Sequence, residues 1–257
     1  MKLTQRNYYS RKASVEYMSV SQWKTFYKCP ASALAEIKGK YQREKSTALL
    51  VGSYVDSYFE GSLANFIRKN PEIYNKNGTL KAEYKQAEAI IQRILKDKLF
   101  TEFMSGEKQV IMTGEINGVK VKIKIDSLHP DKIVDLKIMR DFESVYVPEK
   151  GRQVWFEAWG YDIQGAVYQE IVRQNTGEKL PFYLAAATKE KVTDIDIVQL
   201  DQKLLDEALE RFKREVEFFD AVKQGVIDPL RCEKCEYCKS TKVLREPTSS
   251  EEFYFDI

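Results

Sequence analysis

Hydrophobic residues recur at intervals of three and four along much of the first hundred residues, and this interval is typical of amphipathic helices. The pattern changes to strict alternation in the middle of the chain, which is typical of strands that bury one face. The predicted helices cover residues 19–28, 31–37, 47–59, 80–99, 153–173 and 201–223, and the predicted strands cover residues 108–116, 119–126, 132–138, 182–187 and 192–198. This arrangement predicts an α/β fold.

The first two predicted strands form a hairpin around Asn117-Gly118, a dipeptide favoured in tight two-residue turns. The strand after the turn is apolar on one face, and its other face carries Lys120, Lys122, Lys124 and Asp126. On the next strand, Asp135 and Lys137 are two residues apart and therefore share one face. The sequence thus predicts two carboxylates and a lysine at the ends of neighbouring strands.

Two carboxylates and a lysine suit the hydrolysis of a phosphodiester. Asp126 and Asp135 offer oxygen ligands for Mg²⁺, which activates water and neutralises charge on the phosphate. Lys137 can orient the attacking water or stabilise the transition state. Asp and Lys are nevertheless common at strand ends, so this pattern alone is weak evidence for such chemistry. Lys122 and Lys124 either contact phosphates of a polyanionic partner or form a solvated strand face.

Two of the predicted helices carry polar residues that can join this chemistry. In the helix over residues 153–173, four polar residues recur at intervals of four, three and four and therefore share one face of the helix. These residues are Glu157, Tyr161, Gln164 and Tyr168. In the helix over residues 47–59, Gly52 lies one turn before Asp56 and permits close approach of a neighbour. Glu157 and Glu115 are further candidate carboxylates for a metal site.

The four cysteines are divided between one residue near the start of the chain and a tight triplet near its end, namely Cys29, Cys232, Cys235 and Cys238. The C-x2-C-x2-C spacing of the triplet suits a 4Fe–4S cluster, with the distant cysteine as the fourth ligand. A Zn²⁺ ion held by four thiolates is the alternative. Either centre would join the first helices to the end of the chain and contribute to the free energy of folding.

Composition and charge exclude some classes of protein. The hydrophobic content of 43% supports a substantial core, but no apolar run is long enough to cross a bilayer. The first residues lack the apolar middle of a signal peptide, so we expect a cytoplasmic protein without membrane partners and with reduced cysteines. The net charge is only +2, but residues 1–45 hold ten Lys or Arg against three Glu, which suits either phosphate contacts or a solvated surface. The single histidine, His129, lies in a predicted turn, which argues against a histidine-dependent triad.

The order of these features resembles the PD-(D/E)xK nuclease superfamily. The matching motifs are Gly52-x-x-x-Asp56, Asp126 after the hairpin, Asp135-x-Lys137, and Tyr161-x-x-Gln164. Within the superfamily the chain is most similar to phage exonucleases related to exodeoxyribonuclease VIII. Residues 18–30 are similar to the opening segment of that group. The cysteines resemble the iron–sulfur pattern of AddB and of CRISPR-adaptation nucleases, although the triplet here is tighter.

The resemblance implies a restriction-endonuclease-like core, in which a central mixed β-sheet is flanked by helices. It implies that Asp126 and Asp135 bind the metal and that Lys137 is the catalytic lysine. Tyr161 and Gln164 would position the other groups. Asp56 stands where many relatives have histidine, and its oxygen ligands favour Mg²⁺ over Mn²⁺. The four cysteines would hold the 4Fe–4S cluster.

The resemblance also implies a function. We expect a Mg²⁺-dependent DNA exonuclease that processes double-stranded ends for phage recombination, with a single-strand annealing protein as its partner. A DNA-binding protein that kept the fold without catalysis is an alternative, as is a nuclease of CRISPR adaptation or helicase-linked repair. We expect one nuclease domain over residues 1–240, followed by an acidic tail over residues 241–257. Cleavage polarity stays open, as does the oligomeric state, including a homo-oligomer.

Overall fold

A computed structural model describes residues 1–43, 46–148, 150–244, 246–247 and 249–251 of the chain. The helices in these ranges are α1 (Arg11–Glu16), α2 (Val20–Lys28), α3 (Pro30–Ile37), α4 (Thr47–Phe59), α5 (Leu63–Lys69), α6 (Ala82–Leu95), α7 (Lys98–Phe103), α8 (Trp155–Ala158), α9 (Tyr161–Thr176), α10 (Gln202–Gln224) and α11 (Glu236–Ser240), with a 3₁₀ turn at Pro71–Ile73. The strands are β1 (Glu107–Ile116), β2 (Val119–Leu128), β3 (Ile133–Met139), β4 (Val145–Val147), β5 (Gly151–Gln153), β6 (Phe182–Thr188) and β7 (Ile195–Gln199). Much of the expected acidic tail, including residues 252–257, lies outside the described ranges.

The main sheet is mixed and has the strand order β1-β2-β3-β6-β7. The β3–β6 pair is parallel, while the other neighbouring pairs are antiparallel. Strands β4 and β5 form a separate two-stranded sheet. The prediction of an α/β fold with a central mixed sheet flanked by helices is therefore confirmed.

Two hydrophobic cores cover the opposite faces of the main sheet. The larger core packs α2, α9 and α10 against one face, and the smaller core packs α4, α6 and α7 against the other. On β3, Ile133 faces the larger core, whereas Val134 and Leu136 face the smaller one. Because side chains alternate along a strand, Asp135 and Lys137 lie on the same side of the sheet as α9.

The N-terminal segment enters the sheet beside β2. The amide of Met18 donates to the carbonyl of Lys120 at 2.8 Å, and the carbonyl of Met18 accepts from the amide of Lys122 at 2.9 Å. Helix α2 starts directly after this contact, where Ser19 and Gln22 form a capping box. The segment that leads into α2 is thereby fixed against the first half of β2.

Two predicted helices are interrupted in the structure. The helix expected over residues 80–99 ends at Leu95, and Asp97 then caps α7 with its side chain. The helix expected over residues 153–173 is divided by Gly160, whose φ of 64° is left-handed. Glu157 therefore lies on the short α8, and the prediction that it stacks with Tyr161 on one helix is wrong. The helix predicted over residues 47–59 has the bounds of α4.

Across the described ranges, no helix combines the length and the apolar character needed to cross a bilayer.

Candidate active site

The site is built where β2 and β3 separate. These strands pair only next to the turn that joins them, at Ser127↔Val134 and Leu128↔Ile133. Beyond these pairs the strands diverge, so the amide of Leu136 has no backbone carbonyl partner on β2. It donates instead to Oδ2 of Asp126 at 3.0 Å. The separation therefore opens a gap in which Asp126 and Asp135 come close, and a strand amide holds one of the two carboxylates in place.

Gln109 holds the other oxygen of Asp126. Its Nε2 donates to Oδ1 of Asp126 at 3.1 Å. Gln109 stands opposite Asp126 in the β1–β2 register, and its φ of 56° is left-handed, which is uncommon for a residue other than glycine. Its Oε1 is buried without a hydrogen-bond partner. The sequence could have identified this residue, because the two-residue turn at Asn117-Gly118 fixes the register of the hairpin.

Asp135 lies at the centre of a network on the α9 side of the sheet. Nε2 of Gln164 donates to its Oδ1 at 2.7 Å, and the Lys137 ammonium forms an ion pair with its Oδ2. Burial raises the pKa of Asp135, while the neighbouring carboxylates raise the pKa of Lys137. Nζ of Lys137 also lies 4.8 Å from the ring centroid of Tyr161. The structure thus brings together Asp135, Lys137, Gln164 and Tyr161.

Asp56 and Glu60 approach the same gap from α4. They are one helical turn apart, so their side chains share a face. Burial, followed by the negative charge of Asp126, raises the pKa of Asp56 well above its usual range. Glu60 adds to this effect and lines the cleft beside Asp56 and Asp126. Glu60 was not among the residues predicted from sequence, although its spacing of four from Asp56 indicates that the two share a helix face.

Lys24 is a second cation of the site and comes from α2. Its Nζ donates to the carbonyl of Trp159 at 2.9 Å and lies 4.9 Å from the ring centroid of Tyr161. The approach is close, since a Cβ added to Gly160 would lie 3.0 Å from Cε of Lys24. Burial, followed by repulsion from Lys137, lowers the pKa of Lys24 to about 7. The ring of Tyr161 is therefore near two ammonium groups.

The lowered pKa of Lys24 predicts how its replacement changes stability. The folded protein binds this proton less tightly than the unfolded chain, whose lysine pKa is near 10.5, so the charged lysine opposes folding below pH 7 and this cost decreases as pH rises. We expect Lys24→Met to raise the melting temperature at pH 6 and the difference from the parent to narrow by pH 9. Scanning calorimetry across this range measures it, with Lys28→Met, an exposed lysine of the same helix, as the control. A difference that is constant with pH would contradict the prediction.

Two adjoining clefts meet at these residues. One has a volume of about 280 Å³ and contains Asp126, Asp135 and Gln164, and the other has a volume of about 590 Å³ and contains Tyr161 and Trp159. Asp56, Leu136 and Lys137 line both. Asp56 and Lys137 therefore lie where the clefts join, while Asp126 and Asp135 line the smaller cleft.

The donor set fits a hard divalent cation. Carboxylate oxygens are the ligands that Mg²⁺ prefers, and three aspartates line the smaller cleft. The unpartnered Oε1 of Gln109 beside Asp126 is a further acceptor. The repulsion that raises the pKa of Asp56 is a cost that a bound cation would remove. In the described state both oxygens of Asp135 are engaged by Gln164 and Lys137, so binding at Asp135 requires the Lys137 ammonium to move aside.

The four cysteines form a separate centre. Among the described residues, theirs is the one group of three or more potential metal-binding side chains whose ligand atoms all lie within 4.8 Å of one another. Sγ of Cys29 is 3.6 Å from Sγ of Cys238, which is 4.0 Å from Sγ of Cys232. Thiolates at about 2.3 Å from one tetrahedral ion stand about 3.8 Å apart. The sulfurs therefore fit a single ion, whereas a 4Fe–4S cluster places a separate iron at each thiolate and needs a wider arrangement.

Backbone amides prepare these sulfurs for a metal. Sγ of Cys29 accepts from the amide of Ser32 at 3.5 Å, and Sγ of Cys232 accepts from the amide of Cys235 at 3.3 Å. Although burial opposes it, hydrogen bonds from the amides of Lys234 and Cys235 lower the pKa of Cys232 to about 6. Burial raises the pKa of Cys238 to about 12, so metal binding there would release a proton.

Comparison with known proteins identifies the family. Residues 19–241 match a family described as a PDDEXK-like domain of unknown function (DUF3799). The chain belongs to this family. Among solved structures, it is similar to a protein from Eubacterium rectale named "Putative exonuclease", with 50% sequence identity, a TM-score of 0.96 and coverage of 100% of both chains. A search of curated proteins found no match. These findings confirm the predicted PD-(D/E)xK nuclease superfamily and support a nuclease.

The PD-(D/E)xK fold gathers most of the predicted site residues but not all of the candidates. Asp56, Asp126, Asp135, Lys137, Gln164 and Tyr161 line the joined clefts. Glu115 is exposed and pairs with Lys120 beside the hairpin turn, far along β2 from Asp126. Lys122 is neither solvated nor available to phosphates, because it is buried and donates to the carbonyl of Tyr8.

Proposed function

We propose that the protein is a metal-dependent DNA exonuclease that degrades double-stranded DNA from its ends, with Mg²⁺ as its metal and Mn²⁺ as a substitute. The main support is the convergence of three aspartates and Lys137 where β2 and β3 separate. The name given to the Eubacterium rectale protein supports action on ends. A role in phage recombination, with a single-strand annealing protein as partner, is proposed from the resemblance to phage exonucleases.

The residues of the site would divide the reaction between them. Asp126 and Asp135 would hold the cation, with Asp56 as a third oxygen donor. When bound, the cation would supply Lewis acidity that activates water and offsets charge on the phosphate. Lys137, released from Asp135, would stabilise the charge that develops in the transition state. Gln109 and Gln164 would keep the carboxylates oriented through the hydrogen bonds that they already donate.

Linear and covalently closed duplexes of the same sequence test the proposal. With Mg²⁺ we expect the linear DNA to be degraded to short products while the closed circles survive, because an exonuclease needs an end. Chelation by EDTA should stop degradation of the linear DNA. Gel analysis over time, with the circle linearised by a restriction enzyme as the matched substrate, gives the comparison.

Other outcomes would identify other functions. Rapid cutting of closed circles would replace the exonuclease proposal with an endonuclease. Binding of linear DNA without degradation, with Mg²⁺ and with Mn²⁺, would indicate a DNA-binding protein that kept the fold without catalysis.

For the cysteine centre we infer a structural Zn²⁺ ion in preference to a 4Fe–4S cluster, which reverses the preference drawn from cysteine spacing. The support is the short separation of the sulfurs. The centre would join α3 to the end of the chain, where the amide of Ala31 already donates to the carbonyl of Leu230 at 3.0 Å. Its contribution would be to folding and not to hydrolysis.

A further inference from the structure

Two adjacent tyrosines stand at the mouth of the smaller cleft. The ring of Tyr8 is buried, but Tyr9 keeps 75% of its surface exposed. The two rings pack edge to face with centroids 4.9 Å apart. Both tyrosines line the cleft that contains Asp126 and Asp135. The Tyr9 ring lies outside the hydrophobic cores, so its exposed face is available to a ligand that enters this charged cleft.

The turn that carries Tyr9 is held in place from several sides. Nζ of Lys122 donates to the carbonyl of Tyr8 at 2.6 Å and lies 4.7 Å from the Tyr8 ring centroid. The amide of Tyr8 donates to the carbonyl of Thr4 at 3.0 Å. Nε2 of Gln5 donates to the carbonyl of Gln109 at 2.6 Å, which joins this segment to the strand that supports Asp126. Because the turn is fixed, a ligand that stacks on Tyr9 orders little additional chain.

Lys124 supplies a positive charge beside the exposed ring. Its Nζ lies 4.9 Å from the Tyr9 centroid and 5.8 Å from the Tyr8 centroid. Lys124 is two residues before Asp126 on the same face of β2, so their Cα atoms are about 7 Å apart. An aromatic face and a cation therefore lie together, next to the carboxylates that would bind the metal.

We propose that Tyr9 and Lys124 form a binding site for an unpaired nucleotide at the end of the DNA, with its base stacked on Tyr9 and its phosphate paired with Lys124. The proposal rests on the proposed function and specifies how the strand end is held. A base inside a duplex has no free face to offer a side chain, so the site selects an unpaired end. Stacking on an aromatic ring tolerates any base, which suits an enzyme that degrades DNA of any sequence.

Binding of short duplexes without divalent metal tests the site. Fluorescence anisotropy would compare a duplex with a two-nucleotide single-stranded overhang and the same duplex with abasic sites in the overhang. We expect Tyr9→Ala to weaken binding of the normal overhang by about 5- to 150-fold, the range for loss of one stacked base, and Tyr9→Phe to retain it. The wild-type protein should bind the abasic overhang as weakly as Tyr9→Ala binds the normal one. Tyr146→Ala, which alters a tyrosine of 71% exposure on β4, is the control and should bind as wild type.

The two parts of the site are separable in the same assay. Replacing Tyr9 and removing the base each eliminate the same stacking interaction, so their losses of binding free energy should not add. Lys124→Ala should weaken normal and abasic overhangs equally and reduce the dependence of affinity on salt. Equal binding of the normal overhang by Tyr9→Ala and wild type, or full additivity with the abasic overhang, would overturn the proposal while leaving degradation of linear DNA unaffected. Wild-type protein that neither binds overhangs nor degrades linear DNA would instead overturn the proposed function, and this site with it.

Discussion

Lys137→Ala and Asp126→Asn are each expected to lower Mg²⁺-dependent degradation of linear DNA by at least about 10²- to 10³-fold, the usual effect of removing one preorganised charge from an active site. Asp126→Asn would remove a charged metal ligand, while the remaining side-chain oxygen can still accept from the Leu136 amide and the new NH2 group can donate to Gln109 Oε1 after that amide rotates. Lys137→Ala removes the only ammonium group paired with Asp135 in the described structure. Initial rates on end-labelled duplex measure both effects.

A matched pair of residues just before β3 provides the control. The exposed Asp131 and the partly buried Lys132 form an ion pair with an N–O distance of 3.1 Å. Asp131→Asn and Lys132→Ala repeat the chemical changes outside the clefts and should keep the parent rate. Since Lys137→Ala leaves Asp135 buried without its counter-ion, its melting temperature must be measured, and the double variant Asp135→Asn with Lys137→Met separates folding from catalysis. Folded Lys137→Ala protein with undiminished activity would remove this residue from the mechanism.

The residues on regular strands could be predicted because alternation determines which side chains share a face. Asp135 and Lys137 follow this rule on β3, and Leu136, which lies between them, faces the opposite core. Local signals also sufficed for α4 and for the hairpin at Asn117-Gly118. In these places each residue's conformation depends on its near neighbours, so a short window of sequence contains the information.

The divergence of β2 and β3 could not be predicted from sequence. Nothing in the local sequence shows that β2 pairs with β3 only at Ser127 and Leu128. The absence of pairing before Ser127 nevertheless leaves the Leu136 amide free to donate to Asp126. Lys24 and Tyr9 reach the site from the N-terminal segment, more than a hundred residues before β3, through packing that no periodicity describes. Glu157 was misassigned because the left-handed Gly160 interrupts a segment whose polar residues otherwise keep helical spacing.

The spacing of cysteines could not distinguish a cluster from a single ion, because both use the same four thiolates. The separations of the sulfurs do distinguish them, since a tetrahedral ion requires about 3.8 Å and a cluster requires more. The described separations of 3.6 and 4.0 Å favour one ion.

Purified protein is therefore expected to be colourless, with about one zinc per chain and no acid-labile sulfide, and Cys29→Ser is expected to lose the zinc. The loss should lower the melting temperature, by roughly 2–4 °C for each kcal/mol that the metal contributes to the free energy of folding in a chain of this size. Metal analysis and calorimetry measure both. A strong chelator should lower the melting temperature of the parent by a similar amount but leave Cys29→Ser unchanged, since the variant has no metal to lose.

The location of the segment that becomes unstable in Cys29→Ser provides the final test of the cysteine centre. Cys29 caps α3 and is the one ligand outside the C-terminal loop, so its loss releases α2 and α3 from residues 230–241. New protease cleavage should appear within residues 23–38, while the sheet that carries Asp126 and Asp135 stays protected because its strands are hydrogen-bonded to one another and a hydrophobic core covers each of its faces. Brown protein that contains equal amounts of iron and sulfide would show that the cysteines hold a cluster and not zinc. The proposed connection between α3 and residues 230–241 would still stand. If the parent protein contains no metal and Cys29→Ser is as stable as the parent, both the zinc centre and the cluster are contradicted, because a metal that is not bound cannot contribute to the free energy of folding.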